Sequence, residues 1–317
     1  MNSSDDVVIV KNLTKQYGDF IAVDDLSLSV GRGQILGFIG PNGAGKTTTI
    51  SVLVGLSRPT RGSATISGAD CSSETHRIKQ LVGYMPDVFG SYDNMRVSEY
   101  LDFFGATYGI ARQSRRTRIA EVLEITNATW MQDRFVESLS HGMKQRIGIA
   151  RTILHDPEVL ILDEPANGLD PLARIEMRKI LLRLADSGKT LIVTSHILPE
   201  LARICNRVAI ITNGRLRASG TLDEIMSRVC QERTVEIQLS AGHSLQQAMK
   251  LVVQFTNDAT AVSPSEAESM IRFRTSRPED DLGVLLGTLV SSSVPVTQFR
   301  EVAADLEDAF LSVTAIE

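Results

Sequence analysis

Eight consecutive residues, Gly40-Pro41-Asn42-Gly43-Ala44-Gly45-Lys46-Thr47, satisfy the spacing G-x-x-x-x-G-K-[ST]. That spacing serves phosphate chemistry. Glycines let backbone N–H groups close on phosphate oxygens, and the N-terminus of a following helix adds the positive end of its dipole. Lys46 is placed to reach the β- and γ-phosphates of a nucleotide and Thr47 to give its hydroxyl to Mg²⁺, with Thr48 counted among the nucleotide contacts. A second chemical element is Val159-Leu160-Ile161-Leu162-Asp163-Glu164, an apolar run ending in paired acids. A buried strand that projects carboxylates from its C-terminal end toward a phosphate loop supplies a metal contact and a group that polarises water. Asp163 is the candidate for the metal and Glu164 for the water. Taken alone, such a run is more often a strand leaving the core for solvent, so its weight comes from the loop upstream.

Strands must carry these residues and helices must receive them. Val7–Leu13, Ala22–Val30 and Gln34–Ile39 read as strands, with apolar Leu26, Leu28 and Val30 alternating against polar neighbours. From Lys46 the spacing turns helical, giving strand, loop, helix. Ser98 to Ile125 predicts two helices forming a helical insertion. Glu158–Leu162 and Thr190–Thr194 suit buried parallel strands, separated by a helix through Ile175, Ile180, Leu181 and Leu184. Asn213-Gly214 between Val208–Thr212 and Leu216–Ala218 predicts a hairpin, and Thr221–Val229 a helix. A domain boundary is placed near Cys230. Beyond it the reading is strand (Thr234–Leu239), helix (Leu245–Phe255), strand (Ala259–Val262), strand (Met270–Arg274), helix (Asp280–Val290), strand (Val294–Phe299) and helix (Asp305–Val313). That order predicts a split β-α-β, ferredoxin-like unit.

A chain of 317 residues has room for about two domains, and 43% hydrophobic with 22% charged residues predicts packed globular folds. The net charge of -5 removes the basic footprint of a nucleic-acid binder. Asp5 and Asp6 stand where a secretory leader would carry basic residues. Leu282–Phe299, broken by Ser291, Ser292, Ser293 and Pro295, is expected to be a helix, a loop and a strand instead of a membrane span. Cys71, Cys205 and Cys230 lack metal or redox spacing, which predicts a reducing compartment. Arg112, Arg115, Arg116 and Arg118 are expected on the solvated face of a helix, and Trp130 in core or interface packing.

Between loop and acids lies Leu139-Ser140-His141-Gly142-Met143-Lys144-Gln145-Arg146, similar to the signature written LSGGQ in the ATP-binding cassette (ABC) family. Downstream, Asn167-Gly168-Leu169-Asp170-Pro171 resembles that family's D-loop and Thr194-Ser195-His196 its switch histidine, while Tyr17 occupies the place of the aromatic that stacks on adenine. With the phosphate loop and the acids, the chain resembles the nucleotide-binding subunit of an ABC transporter over residues 7–230. Singly, Ser140 is also a helix cap, His196 an ordinary strand-end histidine and Tyr17 a half-buried strand aromatic.

The resemblance implies an α/β P-loop NTPase cassette over residues 1–230. It comprises a RecA-like core, an antiparallel β subdomain and a helical subdomain at about 88–150. Residues 231–317 would form a smaller α+β accessory unit. It implies ATP with Mg²⁺, and a head-to-tail homodimer or heterodimer in which Ser140, Gly142 and Asp170 of one subunit close on nucleotide held by Lys46 of the other. Glu164 would be general base and His196 would hold the γ-phosphate. The partner would be a separately encoded transmembrane permease of the type-2 exporter class, with the chain cytoplasmic and peripheral on the membrane. No nucleic acid is expected. The alternative is a soluble ABC ATPase that remodels a ribosome or a nucleic-acid complex. His141 and Met143 depart from the signature. Asp87 stands where the family usually has a glutamine linking Mg²⁺ to the membrane partner, an acidic candidate metal contact of shorter reach and negative charge.

Overall fold

Alternation decides the first sheet. In the computed structural model, which describes residues 5–88, 90, 94–229, 233–240, 245–302, 306 and 308–310, β1 (Asp6–Tyr17) and β2 (Phe20–Gly31) pair antiparallel. Leu26, Leu28 and Val30 face the core while Ser27 and Ser29 face out. β4 (Arg61–Ile66) and β5 (Ala69–Asp70) complete a sheet ordered β2-β1-β4-β5. One face is buried, as the half-polar pattern demands.

Continuous apolar runs form the second sheet instead. β3 (Ile35–Ile39) is buried throughout and leads into the phosphate loop and α1 (Lys46–Leu53). After α2 (Thr75–Leu81) come β6 (Val82–Met85), then α3 (Val97–Thr107), α4 (Arg112–Ile125) and α5 (His141–Thr152). β7 (Val159–Asp163), α6 (Pro171–Asp186), β8 (Thr190–Thr194), α7 (Leu198–Ala202), β9 (Arg207–Thr212), β10 (Arg215–Thr221) and α8 (Leu222–Val229) follow. The sheet order is β10-β9-β3-β8-β7-β6, with only β10 antiparallel. Because β3, β8 and β7 are adjacent and parallel, their C-terminal ends open on one edge, which is where an open α/β sheet places its chemistry. Asn213 and Gly214 turn the β9–β10 hairpin with φ of 47° and 76°, the left-handed pair a two-residue turn needs.

The chain divides into two compact units after Leu222, so α8 groups mainly with the second, whereas the sequence reading put the boundary near Cys230. In the second unit β11 (Arg233–Leu239), α9 (Leu245–Thr256), β12 (Val262–Ser265), β13 (Met270–Thr275), α10 (Glu279–Ser291) and β14 (Val296–Val302) form a β-α-β-β-α-β succession. The sheet is antiparallel throughout, ordered β12-β13-β11-β14, the split β-α-β arrangement. Val235, Ile237, Ile271 and Phe273 pack with Ala248 and Val252 of α9 and Leu282, Leu285 and Leu289 of α10.

Several expectations need correction. The strand expected at Ala259–Val262 begins only at Val262, because the Asp258 carboxylate accepts from the Thr260 N–H (2.8 Å) and winds Ala259–Ala261 into a 3₁₀ turn. Pro264 is then tolerated because β12 is an edge strand. Arg115 and Arg118 are not on a solvated face. Arg115 pairs with Asp102 (2.7 Å), and Arg118 donates to the Ile153 and Leu154 carbonyls at 2.7 and 3.0 Å, tying α4 to the end of α5. Trp130 is 58% exposed and so does not lie in the core, one of the two places expected for it. Sequence reasoning had no expectation for β4, β5, α2 and β6, elements too short to show a period. The helix expected at Asp305–Val313 lies largely outside the described residues.

Candidate functional site

The phosphate loop is built by close approach. A Cβ at Gly40 would stand 2.4 Å from the Ile211 carbonyl oxygen, and one at Gly45 2.5 Å from that of Ala22. Gly45 also caps α1 with a φ of 102°, which side-chain-bearing residues rarely adopt. These glycines seat the loop against β2 and β9, leaving the first-turn amides of α1 without partners inside the helix, as any helix start does. Lys46 donates from Nζ to the Gly40 and Pro41 carbonyls at 2.6 and 3.0 Å, laid over the loop it serves. Burial lowers its pKa from the ordinary lysine value, against the opposing pull of the Glu164 and Asp163 charges.

Those carboxylates come from the end of β7. Asp163 is buried and accepts from the Thr194 hydroxyl at 2.6 Å, while that hydroxyl oxygen accepts from the Glu164 N–H at 3.0 Å. One hydroxyl at the end of β8 therefore fixes the metal candidate and the backbone of the water candidate together. Burial and the Asp163 charge push the Tyr84 phenol upward, which puts β6 beside the same carboxylate. Glu164 has a φ of 53°, a conformation that costs a side-chain-bearing residue about 1–3 kcal/mol and is characteristic of functional sites. Its Oε2 meets His196 Nδ1 at 2.8 Å and accepts from the His196 N–H at 3.2 Å.

The donor set fits magnesium bound together with nucleotide. Thr47 offers an exposed hydroxyl beside Lys46 and Asp163 a carboxylate, both hard oxygen donors. Among the described residues no cluster of three or more His, Cys, Asp or Glu side chains forms a cage by itself. Phosphate oxygens and water complete the shell of such an ion in this kind of site.

Ser140, Gly142 and Asp170 are brought together in a different place. They line a cleft of about 350 Å³ shared with Trp130, His141, Met143, Arg146 and Gly168, whereas no phosphate-loop residue lines it. Ser140 caps α5, its hydroxyl 3.4 Å from the Met143 N–H, and Asp170 caps α6, accepting from the Ala173 N–H at 2.8 Å. Asp87 accepts from the Asn167 side-chain amide at 3.3 Å, so this carboxylate has a neutral partner in the segment after Glu164. Tyr17 is half exposed at the turn end of the β1–β2 hairpin, with the Lys15 ammonium 4.8 Å from its ring centre. Sequence reasoning missed Thr194 as a site residue. The available signal was a hydroxyl as the last residue of a buried strand, weak until β8 is seen beside β7.

Comparison with known proteins speaks to the family and the fold. The family model described as "ABC transporter" matches residues 23–167. The chain is 34% identical over 312 residues to the Nod factor export ATP-binding protein I of Ralstonia nicotianae, covering 98% of this chain and 94% of that protein. It is 32% identical over 304 residues to the linearmycin resistance ATP-binding protein LnrL of Bacillus subtilis, covering 96% and 97%. The bacitracin transport ATP-binding protein BcrA of Bacillus licheniformis shares 40% over 235 residues, covering 74% and 75%. Among solved structures, an ATP-binding subunit of an ABC transporter superposes with a TM-score of 0.63 at 32% identity, covering 70% of this chain and 92% of that one.

Proposed function

This chain belongs to the ATP-binding proteins of ABC transporters, which hydrolyse ATP to power transport, and we propose that it is the motor of an exporter acting through a separate transmembrane partner. The export direction rests on its similarity along nearly the full length to the Nod factor export and linearmycin resistance proteins. Among the described residues no helix is long and apolar enough to cross a membrane.

The observation that carries the mechanism is that Lys46, Asp163, Glu164, Thr194 and His196 converge at one edge of the parallel sheet, while Ser140, Gly142 and Asp170 line a cleft without them. One subunit thus holds half of each of two different surfaces. A head-to-tail pair places the Ser140 end of α5 against nucleotide seated on the partner's phosphate loop. Lys46 binds and orients the β- and γ-phosphates. Mg²⁺, when bound with ATP, neutralises phosphate charge, and Thr47 and Asp163 are the residues that would hold it. Glu164 takes a proton from the attacking water or aligns it, and His196, already on the Glu164 carboxylate, fixes the orientation of that group. Asp87 contributes from beside Asn167, and Tyr17 offers its exposed ring to the adenine.

A Glu164→Gln chain incubated with ATP and Mg²⁺ tests the pairing. It is expected to elute at twice the monomer mass with nucleotide trapped, and the added Ser140→Ala change is expected to abolish that species. A Glu164→Gln chain that stays monomeric while saturated with ATP rules the joint site out.

A further inference from the structure

Resting on that proposed mechanism, we infer that His141 is a positioning residue that ties the two half-sites within one subunit. The His141 ring leaves the first turn of α5, next to Ser140, and its Nε2 lies 2.9 Å from the Asn167 carbonyl oxygen. A carbonyl only accepts, so the ring nitrogen facing it carries the proton. The ring packs against Gly168, where an added Cβ would come within 3.3 Å of Nε2. Gly168 has a φ of 67°, so a bare glycine serves both the turn and the ring. Behind His141, one turn along the helix, lies Gln145, 1% exposed, its side-chain nitrogen 3.5 Å from the same ring atom, a contact that adds no hydrogen bond once that ring nitrogen carries the proton.

Asn167 is the other half of the connection. Its N–H donates to the Glu164 carbonyl at 3.0 Å, and its side-chain amide donates to Asp87 at 3.3 Å. One residue thus joins the His141 ring, the strained backbone of the water-orienting glutamate and the Asp87 segment. A displacement of the Ser140 turn, as when that turn closes on a partner's nucleotide, is carried through a short chain of hydrogen bonds to Glu164 of the same subunit. A glycine at position 141 could not make this link, because it has no side-chain donor. The signature departure is therefore a functional contact that sets the Glu164 loop.

The test compares His141→Ala with His141→Gln in the full chain, measuring steady-state ATP turnover and, separately, ATP affinity of the unpaired chain. His141→Ala is expected to lower kcat about tenfold while leaving affinity within about twofold, since Lys46 and its loop are untouched. His141→Gln, which can still present an N–H to Asn167, is expected to recover most of kcat. Wild-type kcat in His141→Ala overturns the inference, as does a glutamine variant no faster than alanine. If His141→Ala does not fold, His141→Asn replaces it, its amide one methylene too short to span the gap, and undiminished turnover there overturns the inference equally. Glu164→Gln run alongside separates two failures. Retained turnover in that variant defeats the proposed mechanism itself, whereas lost turnover there with an indifferent His141 defeats only this link.

Discussion

Two sheets of this protein, the parallel one and that of the second unit, treat buried carboxylates in opposite ways. At the end of β7, Asp163 is held by the hydroxyl of Thr194, a neutral partner, while the Lys46 ammonium is bonded to loop carbonyls. In the second unit Glu236, on the central strand β11, is gripped at Oε1 by Arg272 and at Oε2 by Arg300, its register partners on both neighbouring strands. The first arrangement keeps charge in reserve for something that arrives. The second spends it on holding three strands together, and the guanidiniums hold the Glu236 carboxyl below its ordinary glutamate value. A buried acid without a cation is costly to maintain, which is why its presence beside a phosphate loop points to chemistry and not to architecture.

Substitutions on the two sides should separate these roles. Glu164→Gln should reduce hydrolysis by at least ~100-fold, the lower range for a lost acid–base group, with ATP binding retained. Unchanged turnover would show that Glu164 is idle. Lys46→Ala should weaken ATP binding by about 10–100-fold, the loss of a charge-assisted hydrogen bond, as read by equilibrium titration of the chain. Equal affinity would take the loop out of the site. Thr194→Val keeps the shape of β8 but leaves Asp163 without its donor, so turnover should fall and stability drop by about 1–3 kcal/mol in urea unfolding.

Glu236→Gln should have the smallest effect, about 1 kcal/mol, because Arg272 and Arg300 are more than half exposed and water screens them. The sign of its pH dependence is fixed. The folded-state pKa is depressed, so this stabilisation is present above the ordinary value of 4.5 and is lost as pH falls through the lowered folded value. The gap between wild type and Glu236→Gln should therefore close on acidification, with nucleotide turnover at pH 7 unaffected. A gap that widened in acid, or a turnover defect, would erase the contrast between the two sheets.

What could be read from residues alone tracks how local each feature is. The phosphate loop, the Asn213-Gly214 turn and the cap at Ser140 are set by neighbours in the chain, and the helix after that cap starts at His141 as the pattern predicts. Long apolar runs such as β3, β7 and β8 announce themselves because burial on both faces leaves no choice of residue type. β6 does not, since four residues carry no period and become a strand only by pairing with β7. Arg115 and Arg118 of α4 misled for a related reason. Helical spacing says which residues share a face, but the Ile153 and Leu154 carbonyls that capture Arg118 belong to another helix end.

By itself, then, the order of residues determined the chemistry on offer: a loop for phosphate, acids at a strand end, a hydroxyl at a helix start. Tertiary structure alone decided which of them meet. The Thr194 hydroxyl lies 31 positions from Asp163, and the His141 ring 26 from the Asn167 carbonyl. Hydrogen bonds act over about 3 Å. Such partners can therefore be assigned only after strand order and helix packing have brought distant segments to the same edge.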